Sequence, residues 1–156
     1  MPFSRSLEEL RHLSNAKLTR DEFCHKAAGI IADSSEQYDW VGIYLTSDEA
    51  LTLPEDYYRG LEPEHKVIPF DEGICGAAAT QRETVVVDDV TSDPRYLACS
   101  ISTQSEIVVP IITDQTLYGV LDLDSDTPAA FSTQDQEFLE AAAAIIGKFF
   151  SNHNTG

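Results

Sequence analysis

Basic residues, cysteines and long apolar runs are all scarce in this sequence of 156 residues. Lys and Arg number 10 against 27 Asp and Glu, which gives a formal net charge of −17. A field of this sign repels phosphate backbones and anionic lipid headgroups, so the composition argues against nucleic-acid and membrane-surface functions. The longest apolar run, IVVPII, is far shorter than the roughly 18–20 residues of a membrane-spanning helix.

Three cysteines form neither an even disulfide framework nor a C-x-x-C pair. The charged N-terminal segment has no apolar stretch of the kind found in signal peptides. We therefore expect a cytoplasmic protein with reduced thiols. The length fits one domain over residues 1–156, with no fused output domain.

Apolar spacing predicts helices at both ends of the chain. Residues 1–36 are predicted to form N-terminal helices in two pieces, the second starting near Thr19, and the last helix begins at Ser132 before a frayed tail at 151–156. A short helix is predicted at 73–81. Strands are predicted at 38–45, 50–53, 67–70, 84–90, 105–113 and 116–124, with long loops at 54–66 and 91–104.

The predicted strands cluster instead of alternating with crossover helices. This order indicates an α+β fold with a mainly antiparallel sheet. We expect the terminal helices to pack together on one face and the two long loops to carry function over the other.

The cysteines differ in their surroundings. Cys24 lies in a helical apolar pattern and is interpreted as a buried core residue. Cys75 lies near a predicted helix N-terminus, where the helix dipole stabilises a thiolate, although simple packing is the alternative. Cys99 lies within a polar loop, which favours a reactive thiol over a structural one.

Three acids are expected on one face of the sheet. Asp122 and Asp124 are two residues apart in a strand, so both side chains leave the same face. Glu106 begins the neighbouring strand of the predicted hairpin and should lie beside them. Such a cluster suits an ammonium group or a general acid with a raised pKa, and a solvated sheet edge is the alternative.

Common catalytic and metal motifs are absent from the sequence. It contains no G-x-G-x-x-G, Walker, H-E-x-x-H or G-x-S-x-G motif. A zinc site formed by Cys75, Cys99 and His65 is conceivable, but these residues do not have the spacing that is usual for zinc ligands. We therefore predict no metal and no bound cofactor.

The segments WVGIY, GICGAA, VVVDDV, LACSISTQSEIVVPI and GVLDLDS, in this order and spacing, resemble the GAF domain of free methionine-(R)-sulfoxide reductases. The resemblance runs from about residue 39 to the C-terminal helix. Its most specific feature is a cysteine seven residues before the Glu of SEIVVP, followed by a D-x-D-S strand. A GAF domain alone would be weak support for a function, since the fold serves many.

The resemblance implies a six-stranded antiparallel sheet, helices on one face, a small closed pocket on the other, and a homodimer. By position, Cys99 matches the nucleophilic cysteine, and Cys75 matches the cysteine of the family's G-[VI]-C-G segment. Three acids match those that hold the substrate, and two aromatics match those that wall the pocket around its methyl group. The acids are Glu106, Asp122 and Asp124, and the aromatics are Trp40 and Tyr44.

The implied reaction reduces free methionine-R-sulfoxide through a thiolate, sulfenic acid and disulfide cycle, with thioredoxin as external reductant. One departure concerns this cycle, because His65 stands where the family usually has a further cysteine. Cys75 then resolves Cys99, or an external thiol does so, or the activity is lost. His65 could alternatively lower the pKa of Cys99. We favour Cys75 as the resolving thiol.

Two functions other than catalysis stay open at this point. A GAF domain that only binds a small amino-bearing molecule would use the same acids without turnover. A thiol redox sensor would oxidise Cys75 and Cys99 without any substrate. The expectation of a chain without an output domain favours the enzyme.

Overall fold

The fold contains four α-helices and an antiparallel sheet. A computed structural model describes residues 2–97 and 102–153. The helices are α1 (Pro2–Asn15), α2 (Arg20–Ala32), α3 (Gly73–Gln81) and α4 (Thr133–Asn152). The strands are β1 (Trp40–Thr46), β2 (Ala50–Thr52), β3 (Tyr58–Arg59), β4 (Val67–Pro69), β5 (Val85–Val87), β6 (Ser105–Thr113) and β7 (Thr116–Ser125).

Capping boxes begin helices α2 and α4. The Thr19 hydroxyl accepts the Glu22 amide, and the Glu22 carboxylate accepts the Thr19 amide in return. Ser132 and Asp135 make the same reciprocal pair at the start of α4. Each box satisfies amides that have no partner within the helix, which confirms both predicted starts.

Six strands follow the order β4-β2-β1-β7-β6-β5, and every paired neighbour is antiparallel. This confirms the predicted α+β class and the six-stranded sheet. The two-residue strand β3 also pairs with β1, although it lies in the segment predicted as a loop at 54–66. Strand β5 is shorter than the predicted 84–90, because a 3-10 turn at Val90–Ser92 follows it, capped by the Asp89 side chain.

A two-residue turn joins β6 and β7, as predicted. Asp114 and Gln115 both have positive φ, at 51° and 70°. Turns of this hand match the twist of paired strands and fix the register of a hairpin. A β-bulge between Ile111 and Ile112 shifts this register by one residue, so that Glu106 pairs with Asp124 at the far end of the hairpin.

Helices α2 and α4 pack against one face of the sheet, and α1 packs on both of these helices. The rings of Phe23 in α2 and Phe149 in α4 stack with centroids 3.9 Å apart. A Cβ on Gly147 of α4 would lie 3.3 Å from Ile111, so this helix rests closely on β6. The predicted packing of the terminal helices on one face is confirmed, and α3 contacts β6 and β7.

Helix α4 is longer than expected. It runs to Asn152, two residues into the segment predicted to fray, and residues 154–156 lie outside the described part. Among the described helices, none combines the length and the apolar character needed to cross a membrane.

Candidate functional site

The sheet register brings three acids together on one face. Glu106 in β6 lies opposite Asp124 in β7, and Asp122 lies two residues further along β7. Strand β1 flanks them on the other side, where Trp40 pairs with Asp124 and Gly42 pairs with Asp122. The predicted juxtaposition of the three acids is therefore confirmed, because side chains at alternate positions share a face.

The three acids are buried. Their exposed fractions are 6% for Glu106, 1% for Asp122 and 4% for Asp124. A solvated sheet edge, the alternative considered from the sequence, is thereby excluded. Ionised carboxylates of this burial are costly unless they are paired or hold a ligand.

Helix α3 covers the acids and places Cys75 against them. The Cys75 sulfur and one carboxylate oxygen from each of Glu106 and Asp122 all lie within 4.8 Å of one another. The Oδ1 atoms of Asp122 and Asp124 have no hydrogen-bond partner among the described residues.

Burial changes the acid–base properties of the cluster. It raises the pKa of Asp122, against the hydrogen bonds from Glu106 and Cys75 that lower it. Burial and then the neighbouring Asp122 charge raise the pKa of Asp124 well above its ordinary value. A carboxylic acid that keeps its proton near neutral pH can act as a general acid.

The expectation that the start of α3 stabilises a Cys75 thiolate is wrong. Cys75 is the third residue of α3, but it is only 3% exposed. Burial and then the charges of Asp122, Glu106 and Asp124 raise the pKa of its thiol well above the ordinary value. These effects outweigh the helix dipole, so Cys75 is a protonated thiol that lies beside an acid.

Two aromatic residues extend the site along β1. Trp40 and Tyr44 are buried on the face that carries the acids, with ring centroids 6.4 Å apart. Their polar atoms hold the loop after β3, since the indole Nε1 donates to the Leu61 carbonyl and the Tyr44 hydroxyl donates to the His65 carbonyl, each over 2.9 Å. The predicted aromatics thus lie beside the predicted acids.

A small pocket opens next to Trp40 and Asp124. Besides these two, its lining comprises Asp39, Leu61, Pro63, Ser102, Thr103 and Asp126. None of these six residues was predicted as part of the site, although Asp39 directly precedes WVGIY and Asp126 directly follows GVLDLDS. The Asp39 carboxylate accepts the Asp126 amide over 2.7 Å, so these flanking positions are tied together. That the pocket is closed stays a prediction.

Two predicted residues need separate mention. Cys99, the predicted nucleophile, lies outside the described residues. His65 is half-buried. Its proposed effect on the pKa of Cys99 stays a prediction, because Cys99 lies outside the described residues. Cys24 is fully buried beside Tyr57, as predicted, and burial raises the pKa of its thiol.

One group of side chains in the described ranges could hold a metal ion. It comprises Cys75, Glu106 and Asp122, which are all buried. The zinc ligands considered from the sequence were instead Cys75, Cys99 and His65, so the two sets share only Cys75. That the protein uses no metal or bound cofactor stays a prediction.

Comparisons with known proteins agree with this architecture. The GAF domain family matches residues 19–148. A free methionine-R-sulfoxide reductase of Saccharomyces cerevisiae is 41% identical over 112 residues, or 70% of this chain, and the chain spans 62% of that relative's length.

Solved structures are similar over more of the chain. The free methionine-R-sulfoxide reductase of Neisseria meningitidis, solved with its substrate, is 31% identical with a TM-score of 0.90, and the match covers 97% of this chain and 90% of that one. The type II enzyme of Thermoplasma acidophilum is 34% identical with a TM-score of 0.79, over 86% and 96% of the two chains. The chain therefore belongs to the GAF domain family and, within it, to the group that contains the free methionine-R-sulfoxide reductases.

Proposed function

We propose that this chain reduces free methionine-R-sulfoxide to methionine. The observation that carries the proposal is the buried cluster of Glu106, Asp122 and Asp124 beside Cys75, in a fold shared with relatives that bear this activity in their names. A buried cluster of acids next to a thiol suits a substrate that has an ammonium group and a reducible sulfur. The chain spans 62% of the length of the yeast relative, so the proposal depends on the residues of the site and not on the name of that relative.

The acids would have two tasks. At least one ionised carboxylate pairs with the α-ammonium group of the free amino acid, a charge that a methionine within a peptide lacks. Another, kept protonated by burial, donates its proton to the sulfoxide oxygen. The raised pKa of Asp124 and of Asp122 supports this division of roles.

The redox cycle would begin at Cys99. Its thiolate takes the oxygen from the sulfoxide, so the substrate gains two electrons and becomes a thioether while Cys99 becomes a sulfenic acid. The Cys75 thiol then attacks the sulfenic sulfur, a disulfide forms and water leaves. A thioredoxin dithiol reduces that disulfide and returns both thiols.

Trp40 and Tyr44 would wall the apolar part of the pocket. Both rings lie on the acid face, and both are fixed by hydrogen bonds to the loop after β3. Fixed rings of this kind suit the methyl group of a sulfoxide, because the neighbouring acids already hold its charged end.

The cellular setting is part of the same proposal. A thiol pair that cycles with thioredoxin fits the reducing cytoplasm, where structural disulfides are rare. A homodimer, implied by the family resemblance, also remains proposed, and light scattering would measure it.

A second candidate is a GAF domain that binds an amino-bearing molecule without turnover. It is favoured by His65, which stands where the family usually has a further cysteine. This candidate predicts ligand affinity that survives Cys99→Ser, with no methionine formed.

Consumption of NADPH with thioredoxin and thioredoxin reductase tests the proposal. Free methionine-R-sulfoxide should be turned over, and the S-epimer should not. The Cys99→Ser variant should be inactive, while Cys24→Ala, which replaces the buried thiol of α2, should keep the activity. Activity of Cys99→Ser equal to that of the wild type would overturn the assignment of the nucleophile.

A further inference from the structure

The middle of strand β1 carries a glycine on the face that holds the acids. Gly42 lies between Trp40 and Tyr44 on that face and pairs with Asp122 across the sheet. A Cβ built on Gly42 would lie under 3.0 Å from the outer ring carbons Cη2 and Cζ3 of Trp40. The six-membered ring of the indole therefore occupies the space that a side chain at position 42 would fill.

A second glycine lies against the other end of the indole. Gly60 follows β3 with a φ of +124°, which L side chains rarely adopt. A Cβ on Gly60 would lie 2.7 Å from Cδ1 in the five-membered ring of Trp40. The indole is thus confined between two positions without side chains, and its Nε1–H is fixed by the Leu61 carbonyl.

This placement brings the indole ring close to the acids. Side chains directly opposite on paired strands lie about 4.5–5.5 Å apart at Cβ. A ring that covers Gly42 therefore neighbours Asp122, which is 1% exposed. It also approaches Tyr44, the other aromatic of the site.

A glycine in a strand interior weakens the strand relative to alanine. Gly42 lies between buried neighbours on a central strand, where a β-branched residue would be favoured. Strand stability does not explain a glycine at this position, but the close fit of the Trp40 ring over it does.

We propose that Gly42 and Gly60 are positioning residues that set the place of the Trp40 indole, and with it the shape of the apolar wall facing the sulfoxide methyl group. This inference rests on the proposed function for the identity of the ligand. The placement of the ring can be measured without any ligand.

The first test uses Gly42→Ala and the fluorescence of Trp40, which is the single tryptophan of the chain. Displacement of the indole should shift its emission to longer wavelength and increase its quenching by acrylamide. Gly29→Ala is the matched control, because the atoms nearest to its Cβ all belong to the flexible guanidinium group of Arg59. Unchanged emission and quenching in Gly42→Ala would overturn the proposal.

The second test is a double-mutant cycle with Trp40→Phe. Phenylalanine lacks the outer indole carbons that exclude a side chain at position 42. We expect Gly42→Ala to raise KM for methionine-R-sulfoxide about tenfold in the wild type, with a smaller change in kcat, and to have little effect in the Trp40→Phe background. An equal loss in both backgrounds would mean that Gly42 acts through the strand alone.

Folding of each variant is followed by circular dichroism and thermal melting. If Gly42→Ala does not fold, the Gly42→Ala/Trp40→Phe double variant should, since the excluding atoms are gone; failure of both would contradict the proposal. If the wild type does not turn over methionine-R-sulfoxide, the proposed function fails, and the fluorescence of Gly42→Ala still decides the positioning role.

Discussion

The sulfur of Cys75 and a carboxylate oxygen of Asp122 lie within 4.8 Å of each other, and both groups are almost entirely buried. Helix α3 supplies the thiol and the central strand β7 supplies the acid. For each group the structure favours the protonated form, because burial raises the pKa of both. A thiol that must be deprotonated to attack a sulfenic acid thus has a carboxyl group in contact with it.

Asp122→Asn should stabilise the fold at neutral pH. The folded chain keeps a proton on Asp122 above the ordinary pKa of 3.8, while the unfolded chain loses it. The free energy of unfolding therefore falls as the pH rises through this window, and no difference exists below it, where both states are protonated. We expect a gain of about 1–2 kcal/mol at pH 7 in urea denaturation, which vanishes near pH 3.

Asp48→Asn is the control for this prediction, since Asp48 is exposed in the turn between β1 and β2. It should change the free energy of unfolding little at either pH. A loss of stability in Asp122→Asn at pH 7 would mean that the ionised acid stabilises the fold.

Part of this site was predictable from the sequence, because strand alternation places Asp122 and Asp124 on one face of the sheet. The two-residue turn alone would place Glu106 opposite Leu123, and an unpredicted β-bulge between Ile111 and Ile112 shifts the register so that Glu106 pairs with Asp124. The raised pKa of Cys75 was not predictable, since it depends on how α3 packs onto the acids. The strand β3 was missed because two residues give no periodicity.

The lining of the pocket was likewise only partly predictable from the sequence. Asp39 and Asp126 adjoin recognised segments, but their contact joins residues far apart in the chain. The fit of Trp40 over Gly42 likewise needs side-chain rotamers, which a pattern of residue types does not contain.

Cys75→Ser should stop catalysis after one turnover. Methionine should still form once per chain, because the sulfenic acid on Cys99 needs no second thiol to form. Turnover with thioredoxin should then fall by at least about tenfold, and dimedone should trap the sulfenic acid, as detected by mass spectrometry. Full thioredoxin-dependent turnover in Cys75→Ser would show that another thiol resolves Cys99.

The resolving step should also depend on pH. Since the pKa of Cys75 is raised, its reactive thiolate becomes more abundant as the pH increases. Disulfide formation after oxidation with one equivalent of substrate should therefore accelerate from pH 6 to pH 9, as followed by rapid quench and thiol alkylation. A rate that decreases over this range would contradict a protonated resting thiol.

Ser132→Ala should lower stability without changing the chemistry. It removes the side chain that accepts the Asp135 amide at the start of α4, on the face opposite the acids. We expect a loss of about 1 kcal/mol in the free energy of unfolding and an unchanged kcat/KM. Thr133→Ala, the neighbouring exposed position, is the control and should cost less. An equal loss from both substitutions would mean that the capping hydrogen bond contributes nothing.

The yield of methionine in a single turnover distinguishes reduction of the sulfoxide from binding alone. Reduced protein, with no external reductant present, is mixed with free methionine-R-sulfoxide, and methionine is quantified by amino-acid analysis. The account predicts about one methionine per chain from the R-epimer, none from the S-epimer and none with Cys99→Ser. No methionine from the R-epimer, despite measurable binding, would contradict the account and leave a GAF domain that binds the amino acid without reducing it.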